Sequence, residues 1–116
     1  MTDPKVDRLL PLKPAWLHIL LALAEGPQHG YAIRTRAEDR ADGKIKLWPA
    51  TLYGTIHRLE GEGLIQALPD EKDPGGDARR CYYDLTPLGS AVLRAEASRL
   101  ESLVKAVRAA GPAGNL

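Results

Sequence analysis

Residues 48–65, "WPATLYGTIHRLEGEGLI", place a proline where only the first turn of a helix tolerates one, and they reach Gly63, a helix stop, near their end. Between these limits Leu52, Ile56 and Leu59 recur at i, i+4 and i+7, the repeat of a helix with one apolar stripe. At about 100° per residue, Ala50, Gly54 and His57 fall opposite that stripe, with Arg58 beside them. A solvated face ordinarily carries Glu, Lys and Gln, and a mid-helix glycine costs about 1 kcal/mol against alanine. This outer face is instead small, neutral and weakly basic. It is either plain surface or a surface that something large approaches closely.

The flanks of this helix supply its context. Upstream, "PAWLHILLALAE" (14–25) starts with Pro14 at a first helical position and ends before Gly26-Pro27. Its apolar residues wrap almost the whole circumference, so more than one side must be covered, and one of those sides is free to meet a second subunit. "QHGYAIRTRAEDRAD" (28–42) reads as a second helix with Tyr31, Ala32 and Ile33 early, closed by Gly43. "KIKLW" (44–48) alternates in the manner of a very short strand with Lys44 and Lys46 on its outer side. Downstream, alternation at 65–67 and again at 81–85 flanks the turn-rich "PDEKDPGGDA", which reads as a β-hairpin with a long tip. Thr86-Pro87 then forms a cap and first turn for a last helix over about 87–110, ahead of Gly111-Pro112.

Helix, helix, short strand, helix, hairpin, helix is the plan of a winged helix-turn-helix, in which the third helix enters the major groove and the hairpin rests on the backbone. The expected class is mostly α with a small β-hairpin (α+β). Residues 1–86 form the winged domain, 87–110 a C-terminal dimerisation helix and 111–116 a flexible tail.

Composition is compatible with this plan and excludes little else. The 116 residues, 44% hydrophobic and 27% charged, suit one small globular domain whose core, with no Phe, is built from aliphatics. A formal net charge of +1 leaves any nucleic-acid reading to local placement of charge. Cys81, the single cysteine, permits neither an intrachain disulfide nor a thiolate metal cluster, and His18, His29 and His57 show no metal-ligand spacing. No cofactor is expected. The N-terminus has no secretory pattern and the apolar run 15–24 is too short to span a bilayer, so a cytoplasmic protein without a membrane partner is the expectation.

The blocks "LLALAEGPQHGYAI", "WPATLYGTIHRLEGEGLI" and "RRCYYDLTPLG" resemble the three signature blocks of the PadR family of bacterial transcriptional regulators. The matching pieces are His29-Gly30-Tyr31, Thr51-Leu52-Tyr53, Arg58-Leu59, Gly63-Leu64-Ile65 and Tyr83-x-Leu85-Thr86 followed by Gly89, in family order over about residues 9–100. The resemblance implies a homodimeric winged-helix repressor of inverted-repeat operators, often near genes for stress response, detoxification or efflux. It also leaves room for an unidentified small-molecule effector. Two departures stand out. Many relatives carry Ser or a similar cap where this chain has Trp48, which offers no side-chain oxygen to an N-terminal amide. Relatives that sandwich flat drugs between subunits use an aromatic residue in the last helix, and residues 87–116 contain none.

The candidate site follows from this plan. Ala50 and Gly54 are small enough for the helix to sit deep in a groove, His57 and Arg58 offer donors to base edges, and Thr51 at the helix start offers a hydroxyl or amide. Lys44, Lys46, Arg79 and Arg80 read either as solvated charge or as phosphate contacts beside the third helix. Asp70, Glu71, Asp73 and Asp77 would keep the hairpin tip away from DNA. Tyr53 reads as a half-buried ring, a phosphate donor or both. Tyr31 leans towards the core, and His29 towards a plain cap with phosphate contact as the alternative.

In the last helix Leu93, Ala97, Leu100, Val104 and Val107 are spaced 4, 3, 4, 3, a heptad seam. The seam is read as a dimer interface joined by Trp16 of the first helix, against the ordinary reading of a helix packing on its own domain. Cys81 reads as a strand residue on the inner face of the hairpin, with a redox role resting only on Arg80 beside it. No nucleophile, base and orienter come together, so an enzyme is not expected. The partner is double-stranded DNA, and the competing reading is a winged-helix module that binds a protein.

Overall fold

The computed structural model describes residues 3–69 and 81–111. Its elements in chain order are α1 (Pro4–Asp7), α2 (Pro14–Leu23), β1 (Gln28–His29), α3 (Gly30–Arg40), α4 (Pro49–Gly61), β2 (Ile65–Leu68), β3 (Tyr82–Leu85) and α5 (Pro87–Ala110). The proline starts expected at residues 14, 49 and 87 are all present. Both stops use the left-handed region. After α3, Asp42 (φ 57°) enters it first and Gly43 (φ 74°) follows, donating its N–H to the Glu38 carbonyl at 3.1 Å; after α4, Gly63 (φ 77°) lets Leu64 reach back to the Leu59 carbonyl at 3.0 Å. Thr86 caps α5 by accepting the Gly89 N–H at 3.0 Å.

One apolar core joins every long element. Ile19, Leu20 and Leu23 of α2, Ile33 of α3, Ile56 and Leu59 of α4, and Val92 of α5 are each at most 1% exposed. α2 gives Ile19, Leu20, Ala22 and Leu23 to this core and keeps Trp16, Leu17 and Leu21 half-buried on its other sides. The two ends of the fold are tied by Glu96 of α5. Its carboxylate is fully buried, accepts the Leu12 N–H at 2.7 Å and pairs with Arg99. The Arg99 bond, and then the Leu12 amide, hold its pKa below the usual glutamate value despite burial.

Three strands form an antiparallel sheet in the order β1-β3-β2. Ile65 pairs with Leu85 and Leu68 with Tyr82, so β2 and β3 are the arms of the wing, while Gln28 and His29 pair with Tyr83 and Tyr82 on the other edge. This corrects two expectations. The third strand is not "KIKLW" but the first two residues of the segment read as helix from 28. Burial does alternate along 44–47, with Leu47 buried and Lys44 and Lys46 exposed, yet these residues form no strand. Their backbone is held instead by Glu38, which accepts the Leu47 N–H at 2.6 Å. Helix α3 starts only at Gly30, because the backbone of Gln28 and His29 is committed to β3.

Candidate nucleic-acid interface

The helix α4 buries Leu52, Thr55, Ile56 and Leu59, and Thr55 satisfies its hydroxyl on the Thr51 carbonyl at 2.8 Å. With that stripe turned inward, Ala50, Thr51, Gly54, His57 and Arg58 are all exposed. At about 100° per residue they occupy one continuous arc of about 120°. Gly61, which the sequence reading does not single out, lies on the same arc and is exposed. Around Gly54 an added Cβ would meet nothing within 4 Å. The outer surface is therefore open along the whole helix.

The head of α4 is fixed from α3. Trp48 is the N-cap residue and makes no side-chain cap bond, as its chemistry requires. The segment leading into the helix is anchored instead: Glu38 holds the Leu47 amide and pairs with Arg34 at 3.5 Å, and the Arg34 guanidinium lies 5.8 Å from the centre of the Trp48 ring. The Leu47 amide bond, with the Arg34 charge added, keeps the Glu38 carboxyl below its ordinary pKa. Lys44 and Lys46 are exposed on the approach to this helix head.

The other expected residues divide. Tyr53 is half-buried against the core, and its hydroxyl lies so close to Gly30 that a Cβ there would come within 2.7 Å of it. The ring thus spans α4 and the start of α3. His29 is the α3 N-cap but makes no side-chain cap bond, so the capping role is corrected. Its ring instead packs on Tyr82 of the wing, centroids 4.0 Å apart and tilted by 47°. Tyr31 is also corrected. It is 74% exposed, because α3 buries the stripe Gly30, Ile33 and Ala37 and Tyr31 stands well off it. Arg79 and Arg80, with Asp70, Glu71, Asp73 and Asp77 of the tip, lie outside the described residues. Cys81 is half-buried on the core just ahead of β3.

Along α5, Gly89, Val92 and Glu96 face the core. The apolar seam runs beside that stripe: Leu93 and Leu100 are half-buried, Ala97 is exposed, and Val104 and Val107 are 46% and 56% exposed. Every residue from 101 to 110 is exposed, including Leu103 at 49%. Trp16 is half-buried against the core, with the Lys13 ammonium 5.4 Å from its ring centre. Among the described residues no helix is long and apolar enough to cross a membrane, and no three His, Cys, Asp or Glu side chains are grouped to hold a metal ion.

Comparisons with known proteins agree with this geometry. Residues 19–95 match the model of the "Transcriptional regulator PadR-like family". The chain is 38% identical over 91 residues to the transcriptional regulator Rv3488 of Mycobacterium tuberculosis, covering 78% of this chain and 79% of that protein. It is 36% identical over 89 residues to a 37.1 kDa protein of a Streptomyces fradiae transposon, of whose length it spans only 24%. Among solved structures, a transcriptional regulator from Clostridium thermocellum superposes with a TM-score of 0.65 at 27% identity, over 93% of this chain and 96% of that one. A PadR family regulator from Clostridium difficile gives 0.67 at 26% identity, over 83% and 96%.

Proposed function

The chain belongs to the PadR-like family of transcriptional regulators, DNA-binding winged-helix proteins, and on that premise we propose that it is a homodimeric repressor of an inverted-repeat operator. The carrying observation is the open arc of α4, exposed from Ala50 to Arg58 and bare at Gly54. A face of this size and chemistry fits the floor of a major groove. Arg58 and His57 act as donors to base edges, and Thr51 reaches a phosphate or base at the helix head. Lys44, Lys46 and the Tyr53 hydroxyl serve the backbone, with Arg79 and Arg80 as further phosphate contacts and His29, beside Tyr82, as another phosphate donor.

Residues 1–86 act as the reading unit and 87–110 as the dimerisation helix, its seam running from Leu93 and Ala97 through Leu100 to Val104 and Val107, with Trp16 at its edge. Exposed valines on a helix that has left its own core support this use, since a second copy would remove them from water. Two-fold pairing of reading heads then requires a two-fold operator. A small-molecule effector would act by changing the angle between the heads, and its chemistry differs from a flat-drug sandwich, because α5 supplies no aromatic ring.

Selection of bound duplexes from a random pool, followed by titration at several salt concentrations, tests the DNA reading. Neutralising phosphates makes log affinity fall linearly with log salt, so a flat dependence would favour a protein partner instead. The dimer is tested apart from it. Val104→Glu, at a position exposed in one chain, leaves the fold intact and puts a charge in the seam. Sedimentation at micromolar concentration is expected to give a monomer with operator affinity lost, and an unchanged dimer overturns the seam.

A further inference from the structure

We propose that Trp48 is a DNA-contacting residue, its indole packed against the deoxyribose-phosphate wall of the major groove at the head of α4. The inference rests on the DNA reading of α4 and adds a contact that the groove-facing residues do not supply. Three observations carry it.

Trp48 is 63% exposed, the second most exposed large hydrophobic side chain among the described residues after Tyr31. Exposure of an indole with no cover is unfavourable, and aromatic side chains with an apolar body and one N–H suit a boundary between apolar and wet surroundings. The sugar edge of a duplex, apolar deoxyribose beside phosphate oxygens, is such a boundary.

The ring is also held rather than loose. The Arg34 guanidinium lies over it at 5.8 Å, Arg34 is oriented by Glu38 at 3.5 Å, and the same Glu38 holds the amide of Leu47, the residue before Trp48. Side chain and backbone are thus fixed from one carboxylate on α3. A surface side chain fixed in this way loses less conformational entropy on docking.

The position matches the partner. Trp48 caps the helix whose outer arc is open from Ala50 onward, so a duplex seated on that arc has one wall beside the helix head. Lys44 and Lys46, both exposed, bring positive charge to the same approach, and the Arg34 guanidinium, paired with Glu38, lies against the ring. This surface is cationic and aromatic, the chemistry of a sugar-phosphate contact rather than of an apolar subunit seam.

The contact is neutral and mostly apolar, which makes it separable from the lysines and arginines around it. With a duplex recovered by selection from a random pool, Trp48→Ala is expected to weaken binding about ten- to thirtyfold per reading head. The loss is shared by all duplexes, and the slope of log affinity against log salt stays at the wild-type value, because no counterion is released at an indole. Melting temperature falls by only a few degrees, the cost of one exposed cation–π contact, since the ring is outside the core. A second measurement does not depend on the alanine variant. Adding the duplex to the wild-type protein quenches tryptophan emission and shields it from acrylamide, and this component is absent in Trp48→Phe. Wild-type affinity in Trp48→Ala, or emission that ignores the duplex while binding proceeds, overturns the proposal and leaves the DNA reading standing. A wild-type protein that binds no selected duplex overturns the DNA reading itself.

Discussion

Gly54 and Gly89 are both glycines inside helices, and they are bare for opposite reasons. A Cβ added at Gly54 meets nothing within 4 Å, whereas one at Gly89 would lie 2.0 Å from the Leu64 carbonyl oxygen. That carbonyl also accepts the Thr86 N–H at 3.1 Å, and the Thr86 hydroxyl donates to Gly63 at 2.5 Å. Gly89 is therefore small so that α5 can lie directly on the turn leaving α4. At Gly54 no neighbour in the fold asks for smallness, so helix propensity has been given up without a packing return. Gly89 serves the fold; on the DNA reading, Gly54 serves a partner outside it.

The largest effect is expected at the closed site. Gly89→Ala drives a methyl group into a backbone carbonyl that has no rotamer to escape through. It should cost at least about 3 kcal/mol and lower the melting temperature by about 10–20 °C. A melting curve within two or three degrees of wild type, on the order of experimental scatter, would mean that the contact between Gly89 and Leu64 is looser than the geometry gives.

Gly54→Leu is the converse. It raises helix propensity by about 0.5–1 kcal/mol, so the domain should melt no lower. Operator affinity should fall about a hundredfold or more, because leucine holds the whole helix away from the bases. Melting temperature and affinity measured side by side decide it. Normal binding by a stable Gly54→Leu protein would make the arc ordinary surface.

Arg58→Ala probes the same open face more gently. Loss of one bidentate base contact costs about 1–3 kcal/mol of binding and relaxes preference at one position in each half-site. A repeat of the duplex selection reads this out as one degenerate position. A uniform loss at every position would reassign Arg58 to phosphate.

The smallest expected effect returns to the closed side. The Glu96 pKa is depressed in the fold, so its contribution to stability is complete above the unfolded glutamate value, about 4.3, and is lost as pH falls through the lower folded value. Glu96→Gln keeps an acceptor for the Leu12 amide but loses the charge facing Arg99. It should cost about 1 kcal/mol near neutral pH and flatten the acid limb of a stability-pH curve. An acid limb identical to wild type would place the titrating group elsewhere.

The parts of the fold legible in the sequence are those decided locally. Pro14, Pro49 and Pro87 start helices by their own fixed φ, Gly63 ends α4 by accepting positive φ, and Thr86 caps α5 with its own hydroxyl. The open arc of α4 is legible for the same reason, since about 100° per residue turns a list of small residues into a face. Decisions made by distant partners are not legible. "KIKLW" has the alternation of a strand, but β3 offers its free edge to Gln28 and His29, a pair too short to show any period. Tyr31 looks like core because it is aromatic, yet Gly30, Ile33 and Ala37 set the buried face of α3 and leave it outside. Trp48 is readable as a missing cap; the arginine against its ring and the glutamate that holds the Leu47 amide are fourteen and ten residues upstream.

The long last helix has a mechanical side. α5 is 24 residues, about 36 Å of stiff rod, clamped at one end by Gly89, Val92 and Glu96 and free from residue 101 onward. It is a cantilever with the reading head at its root. On the dimer reading, a tilt of about 10° between two such rods at their far ends displaces the two roots by about 6 Å relative to each other, nearly two base-pair steps of the duplex. Two heads set to successive grooves would fall out of register through an angle that disturbs no contact within either core. A molecule wedged between the rods could therefore release the operator by leverage alone, without touching α4.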